Sequence, residues 1–207
     1  VVVTLLRNQW SIYSEIRWSI WPSFPVNAYN LAIVEKEYQT DWLENDFSEL
    51  LSHYVNESQL SLAKGITCKT ENKLFSNTES QTKGFADKLP RIDFVYFKIW
   101  KEQRFHYYME AKRLKEKDSN LKRAYINEGM QRYTSEKYPM GCMLGYLLEG
   151  NADKTKNGIN SLLIKDKRNS EVLNLESHNF VKSYYVSNHP KIGILKHLIF
   201  DFTNNQN

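Results

Sequence analysis

Three residues on two short, strand-like runs carry the chemistry most readily read from this chain. Asp93 lies in the alternating run Ile92-Asp93-Phe94-Val95-Tyr96-Phe97-Lys98-Ile99, and Glu110-Ala111-Lys112 ends a second run that starts at Phe105. Strand side chains repeat with period two, so Glu110 and Lys112 share a face. With Lys101-Glu102-Gln103 as the hairpin between the runs, Asp93 comes alongside them. Two carboxylates and an ammonium then meet among Phe94, Phe97, Tyr107, Tyr108 and Met109. A close carboxylate pair in apolar surroundings is costly unless a positive charge sits between its members. A hard divalent cation answers that need, since Mg²⁺ takes one or two carboxylates together with waters and phosphate oxygens. Lys112 would then orient or deprotonate an attacking water, or offset charge on a pentacovalent phosphate. The plainer reading of the same residues is a strand-end salt bridge between Glu110 and a basic neighbour.

The string Pro90-Arg91-Ile92-Asp93, sixteen intervening residues, then Glu110-Ala111-Lys112 resembles the signature of the PD-(D/E)XK nuclease superfamily. Arg91-Ile92 between the proline and the aspartate is a mild departure from it. The resemblance implies an α/β fold with a restriction-endonuclease-like core, a central mixed β-sheet flanked by helices. It also implies hydrolysis of DNA phosphodiesters with Mg²⁺, or Mn²⁺ in its place. Asp93 and Glu110 match the family's metal ligands, and Lys112 matches its catalytic lysine. Many members add a glutamate from the first helix. Glu35, Glu37, Glu44 and Glu49 are the candidates here, and Glu37 is favoured. In exonuclease-like branches a Gln and a Tyr on the following helix help order the site; Gln131 resembles that Gln, with Ser135 where the Tyr would stand. The segment from Tyr125 to Tyr133, with 140–145 beyond it, is also similar to nuclease-like proteins found among bacterial defence genes. That similarity implies a restriction or antiphage setting.

These residues must be held by elements legible in the chain. The core is expected over 28–150, preceded by an aromatic arm (1–27) and followed by a helix and strands (151–207) that complete the same domain. In the arm, Trp10, Tyr13, Arg17, Trp18 and Trp21 recur at three- and four-residue steps, the spacing of a stripe packed on the body or lining a groove. A helical pattern covers 28–54, with Ile33, Tyr38, Trp42, Phe47, Leu50, Leu51 and Tyr54 inward and an acidic outer side. Thr40-Asp41 would cap a second helix within it. Strands follow over 66–75, 92–99 and 105–111. The charge run 112–117 reads as a solvated face or loop. A helix is expected from one of Asp118, Ser119 or Asn120 to about Lys137, then a buried strand over 140–148, a helix over 153–164, and strands over 180–186 and 195–202.

Composition bounds the alternatives. The 207 residues suffice for one domain and its core. Charged residues at 25% and apolar residues at 41% describe an ordinary soluble globule, whereas 14% aromatic content is high. Two cysteines, Cys68 and Cys142, exclude a disulfide scaffold and suit a reducing compartment. No membrane-length apolar run occurs, and the short apolar start Val1–Leu6 meets Arg7-Asn8-Gln9, so the expected location is cytoplasmic. The chain opens on Val1 rather than Met, which reads as a front that is missing or processed, or as numbering that begins inside a longer protein.

A net charge of +4 does not by itself point to a polyanion. Locally, Lys112, Arg113, Lys115, Lys117, Lys122 and Arg123 fall within twelve residues after the proposed site, suited to flanking phosphates. Arg91 suits a phosphate contact or a carboxylate clamp. The five histidines are scattered without zinc spacing, and no glycine-rich phosphate loop appears. The resulting expectation is a metal-dependent DNA endonuclease, as a homodimer or a subunit of a defence complex. Its alternative is a nuclease-like binding or structural subunit with little or no cleavage, and action on RNA stays open.

Overall fold

The computed structural model describes residues 21–75, 82–100, 102–138, 141–178 and 181–203. Most of the expected aromatic arm, Trp10 to Trp18 included, therefore lies outside the described residues, as do Pro139, Met140 and Phe180. Among the described residues no helix is long and apolar enough to cross a membrane.

Seven strands form one sheet in the order β1-β2-β3-β4-β7-β6-β5. They are β1 (Thr67–Lys73), β2 (Arg91–Trp100), β3 (Gln103–Lys115), β4 (Gly141–Glu149), β5 (Asn174–Leu175), β6 (Tyr184–His189) and β7 (Gly193–Asp201). β4 runs parallel to both of its neighbours, β3 and β7, and every other pairing is antiparallel. The fold is thus α/β, a mixed and mostly antiparallel sheet flanked by helices. The connection from β3 to β4 explains the change of direction. A parallel return needs a crossover long enough for a helix, whereas the short link from Trp100 to its ladder partner Gln103 permits only an antiparallel hairpin. β4 is buried at every position from Gly141 to Leu148, as a strand covered on both faces must be.

One face is covered by α1 (Ser23–Glu35) and α2 (Glu44–Glu57), the latter followed by the short α3 (Gln59–Lys64). Phe47, Leu51 and Val55 recur at helical spacing on α2 and join Phe94, Tyr96, Met109 and Tyr146 in a core cluster. The pattern over 28–54 thus resolves into two helices. α1 ends where Lys36 turns left-handed at φ 55°, and α2 begins after Leu43, whose N–H donates to the Asp46 carboxylate at 2.8 Å. The opposite face carries α5 (Ser119–Ala124), a π-helical segment (Tyr125–Met130) and α6 (Gln131–Thr134) end to end, with α7 (Ala152–Lys165) beside them. A single turn, α4 (Phe85–Lys88), leads into β2.

Among the described residues the aromatic side chains are largely internal. Tyr96, Tyr107, Tyr125, Tyr133, Tyr146 and Tyr185 are all fully buried, and Trp21 stacks on Tyr107 at 5.7 Å between ring centroids. The charge run beginning at Lys112 is a loop only at its end, where Glu116 and Lys117 form a turn. β3 continues through Lys115, with Leu114 buried in the second core and Lys112 7% exposed. Alternation along the strand, not charge density, decides which of these residues turns inward.

Candidate functional site

The register of β2 on β3 sets the site. Phe94 pairs with Met109, so continuing the ladder by one residue brings Asp93 to Glu110. The pairing loosens there. The Ala111 N–H, instead of joining the ladder to β2, donates to Asp93 Oδ2 at 2.6 Å. The residues on either side of Asp93 enter different cores, Ile92 the one under the π-helical segment and Phe94 the one under α2. Asp93 therefore sits where the strand departs from simple alternation, at 7% exposure.

Glu110 is wholly buried. Lys112 Nζ lies 3.0 Å and Arg132 Nη1 2.7 Å from its Oε1, close enough for ion pairing but out of line for hydrogen bonds. Its Oε2 has no hydrogen-bond partner among the described residues. Lys112 Nζ also donates to Glu44 Oε1 at 2.7 Å and to the Ala111 carbonyl at 2.7 Å. The second oxygen of Glu44 accepts from Arg113 N at 3.1 Å. Glu44 is the first residue of α2, where a carboxylate is favoured by the helix dipole. It thereby joins the helix layer to β3 at the site.

Three carboxylates thus face one ammonium and one guanidinium. Burial raises the pKa of Asp93 to about 6, despite the pull of Lys112 and of the Ala111 N–H. Burial, reinforced by Asp93, pushes Glu110 up to about 8 against the pull of Lys112 and Arg132. Burial would lower the Lys112 pKa, but Glu110, Glu44 and Asp93 outweigh it and raise it. The lysine is a firmly held cation, and burial disfavours full ionisation of the carboxylate pair, which a bound cation would favour.

The helix over the site is shaped for close approach. A Cβ on Gly129, in the π-helical segment, would collide with Met143 Cε and come within 3.4 Å of Lys112 Cγ. The glycine leaves room for the Met143 side chain beneath the backbone, while the Lys112 stem lies at ordinary contact distance. Beyond this segment Arg132 reaches Glu110, with Tyr138 OH 2.5 Å from its Nη1 and the Tyr138 ring 5.3 Å from the guanidinium. Tyr138 OH also donates to the Arg91 carbonyl.

Of the residues singled out in the sequence, Asp93, Glu110 and Lys112 come together. Glu37 does not join them. It lies beyond the end of α1, exposed, and accepts from Tyr54 OH at 3.2 Å, whereas Glu44 supplies the helical carboxylate. Gln131 is exposed at the start of α6, and its neighbour Arg132 reaches the site instead. In the basic stretch, Arg123 pairs with Asp166 and the buried Lys122 donates to the Glu116 carbonyl at 2.5 Å. Lys115 lies 3.6 Å from Glu149, Arg113 donates to the Trp42 carbonyl, and Lys117 is exposed. Arg91 pairs with Glu71 at 3.5 Å. Arg132 stands at helical spacing from Tyr125 and Glu128, but no local signal ties it to a carboxylate twenty-two residues away.

Among the described residues, no group of three or more His, Cys, Asp or Glu is gathered so as to hold a metal ion. A second buried polar cluster lies at the β6–β7 hairpin. Ser187 Oγ stands 2.6 Å from His189 Nε2 and 2.7 Å from His197 Nε2. His197 Nδ1 meets Tyr125 OH at 2.9 Å, and His189 Nδ1 lies 2.8 Å from Glu171. In comparisons with known proteins, the chain matches no family model, no curated protein and no solved structure.

Proposed function

We propose that this chain is a Mg²⁺-dependent deoxyribonuclease of the PD-(D/E)XK type, an endonuclease serving restriction or antiphage defence. The observation that carries the reading is Glu110: a wholly buried carboxylate with a bare Oε2, beside a second carboxylate and a lysine. Hard oxygen donors in a pair suit Mg²⁺, which takes one or two carboxylates and keeps its waters and phosphate oxygens. The fold order agrees with the family's core: helix, three antiparallel strands, crossover helix, then a parallel strand. Bound there, the cation would supply a Lewis acid for the scissile phosphate and an acidified water.

The chain's own groups then have separate parts. Asp93 and Glu110 hold the cation. Lys112, kept protonated by its carboxylate neighbours, offsets charge on the phosphate rather than acting as a base. Glu44 aims the lysine. Arg113, Lys115 and Lys117 lie along and just past the end of β3, where they would meet flanking phosphates, while Lys122 is already committed inside the protein. A cut through both strands calls for two such sites, so a homodimer belongs to this proposal.

The second reading, a nuclease-like DNA-binding or structural subunit, is favoured by one feature. Lys112 and Arg132 already neutralise Glu110 from within. Incubation of linear, circular, single-stranded and methylated DNA, and of RNA, with Mg²⁺ or Mn²⁺ decides between them. Cleavage is expected on DNA, falling at least about a hundredfold in Asp93→Asn and Glu110→Gln. DNA binding that weakens with salt, with no cleavage of any substrate, would leave the binding subunit.

A further inference from the structure

The guanidinium of Arg132 occupies a place that the nuclease reading leaves unexplained. It stands 2.7 Å from Oε1 of a buried carboxylate, yet its own side chain is 31% exposed and its other polar contacts are to Tyr138 OH and the Arg91 carbonyl. One end is at the carboxylate assigned to the cation, and about a third of the side chain is open to solvent, at 31%. Tyr138 provides a second perch, its ring beneath the guanidinium and its hydroxyl fixed to Arg91. Arginine is also the side chain best matched to a phosphate, through its planar fork of donors.

We propose that Arg132 is an internal competitor for the cation. It holds Glu110 while the site is without substrate and passes to a backbone phosphate when nucleic acid and a divalent cation enter together. Resting on the nuclease reading, this makes cation binding weak in the free protein and strong in the complex. A guanidinium at contact distance from a ligand oxygen repels an incoming divalent ion, and the repulsion is greatest where the surroundings are dry. Once the guanidinium turns to phosphate, the same charge strengthens DNA binding. The exchange keeps a cation on Glu110 throughout: the carboxylate gains a divalent ion, of charge +2, as it loses a guanidinium of charge +1, which the entering phosphate takes up. Arg132 is therefore a positioning residue for the cation and a contact residue for DNA.

Calorimetric titration of Mn²⁺ into the DNA-free protein tests the first half, and fluorescence anisotropy of a labelled duplex in Ca²⁺ the second. Arg132→Gln is expected to take Mn²⁺ roughly tenfold more tightly than wild type and to bind the duplex roughly tenfold less tightly. Arg132→Lys, which keeps the charge, should restore wild-type Mn²⁺ affinity. A merely structural arginine would give weaker Mn²⁺ binding when removed, not tighter. Equal or weaker Mn²⁺ binding by Arg132→Gln, with Glu110→Gln losing it altogether, overturns the competitor and leaves the nuclease reading standing. Absence of Mn²⁺ binding in wild type and Arg132→Gln alike overturns both.

Discussion

Glu110 shows how a single side chain sets both a cost and a use. Its carboxyl pKa, ordinarily 4.5, is raised to about 8 by burial and by Asp93. Below pH 4.5 both the folded and the unfolded carboxyl are protonated, and nothing is lost. As pH rises, the unfolded chain ionises first, so folding stability falls until the folded group ionises near pH 8. Glu110→Gln removes this dependence. In chelator, the variant is expected to match wild type closely at pH 4.5 and to exceed it at pH 8 by on the order of 4 kcal/mol, read from urea unfolding. An equal difference at both pH values would show that ionisation of Glu110 is not the cause. Asp93, Glu110 and Lys112 are identifiable from type and spacing alone, because strand periodicity brings i and i+2 to one face. Order in the chain favours Glu37 over Glu44, but the distance to a strand residue depends on where the helix starts. A left-handed Lys36 and the Asp46 cap put that start at Glu44.

At the scale of elements, the π-helical segment is the device that brings α6 to the site. An extra residue per turn rotates the helix beyond it, so Arg132 points to Glu110 while Gln131 turns to solvent. Gly129 makes the contact between that segment and the sheet. Gly129→Ala would force the buried end of the Met143 side chain aside while the Lys112 stem stays at ordinary contact distance, and a loss of about 1 kcal/mol is expected in thermal or urea unfolding. Unchanged stability would mean that the segment shifts freely. The helix itself is legible from its N-terminal caps. Its π-helical turn is not, since that register is decided by what packs beneath it. The charge run 112–117 misled for the same reason: charged residues alternate between the two faces of β3, and only the helices above show which face is buried.

Across the whole molecule, the network from Glu171 through His189, Ser187 and His197 to Tyr125 ties the β6–β7 hairpin to the π-helical segment behind the site. Its protons have one consistent order when both rings are neutral: Tyr125 donates to His197, His197 to Ser187, Ser187 to His189, and His189 faces the Glu171 carboxylate. Burial, with His189 nearby, lowers the His197 pKa from 6.5 to about 3. The folded protein keeps this ring neutral while the unfolded chain protonates it. Stability is therefore fully present above about pH 6.5 and lost as pH falls toward 3, at about 1.4 kcal/mol per unit. Between pH 7 and pH 4.5 wild type is expected to lose about 2–3 kcal/mol more than His197→Gln in urea unfolding; equal losses would assign the acid sensitivity elsewhere. By itself the amino-acid sequence determined the order of the longer elements, the pair of strands bearing Asp93, Glu110 and Lys112, and an α/β fold, because periodicity and caps are local. The choice of Glu44, the reach of Arg132, the inward turn of Lys122 and the meeting of His189 with His197 were decided only in the tertiary structure. Each depends on how one element is rotated and set against another, and that is fixed by packing shared across the chain.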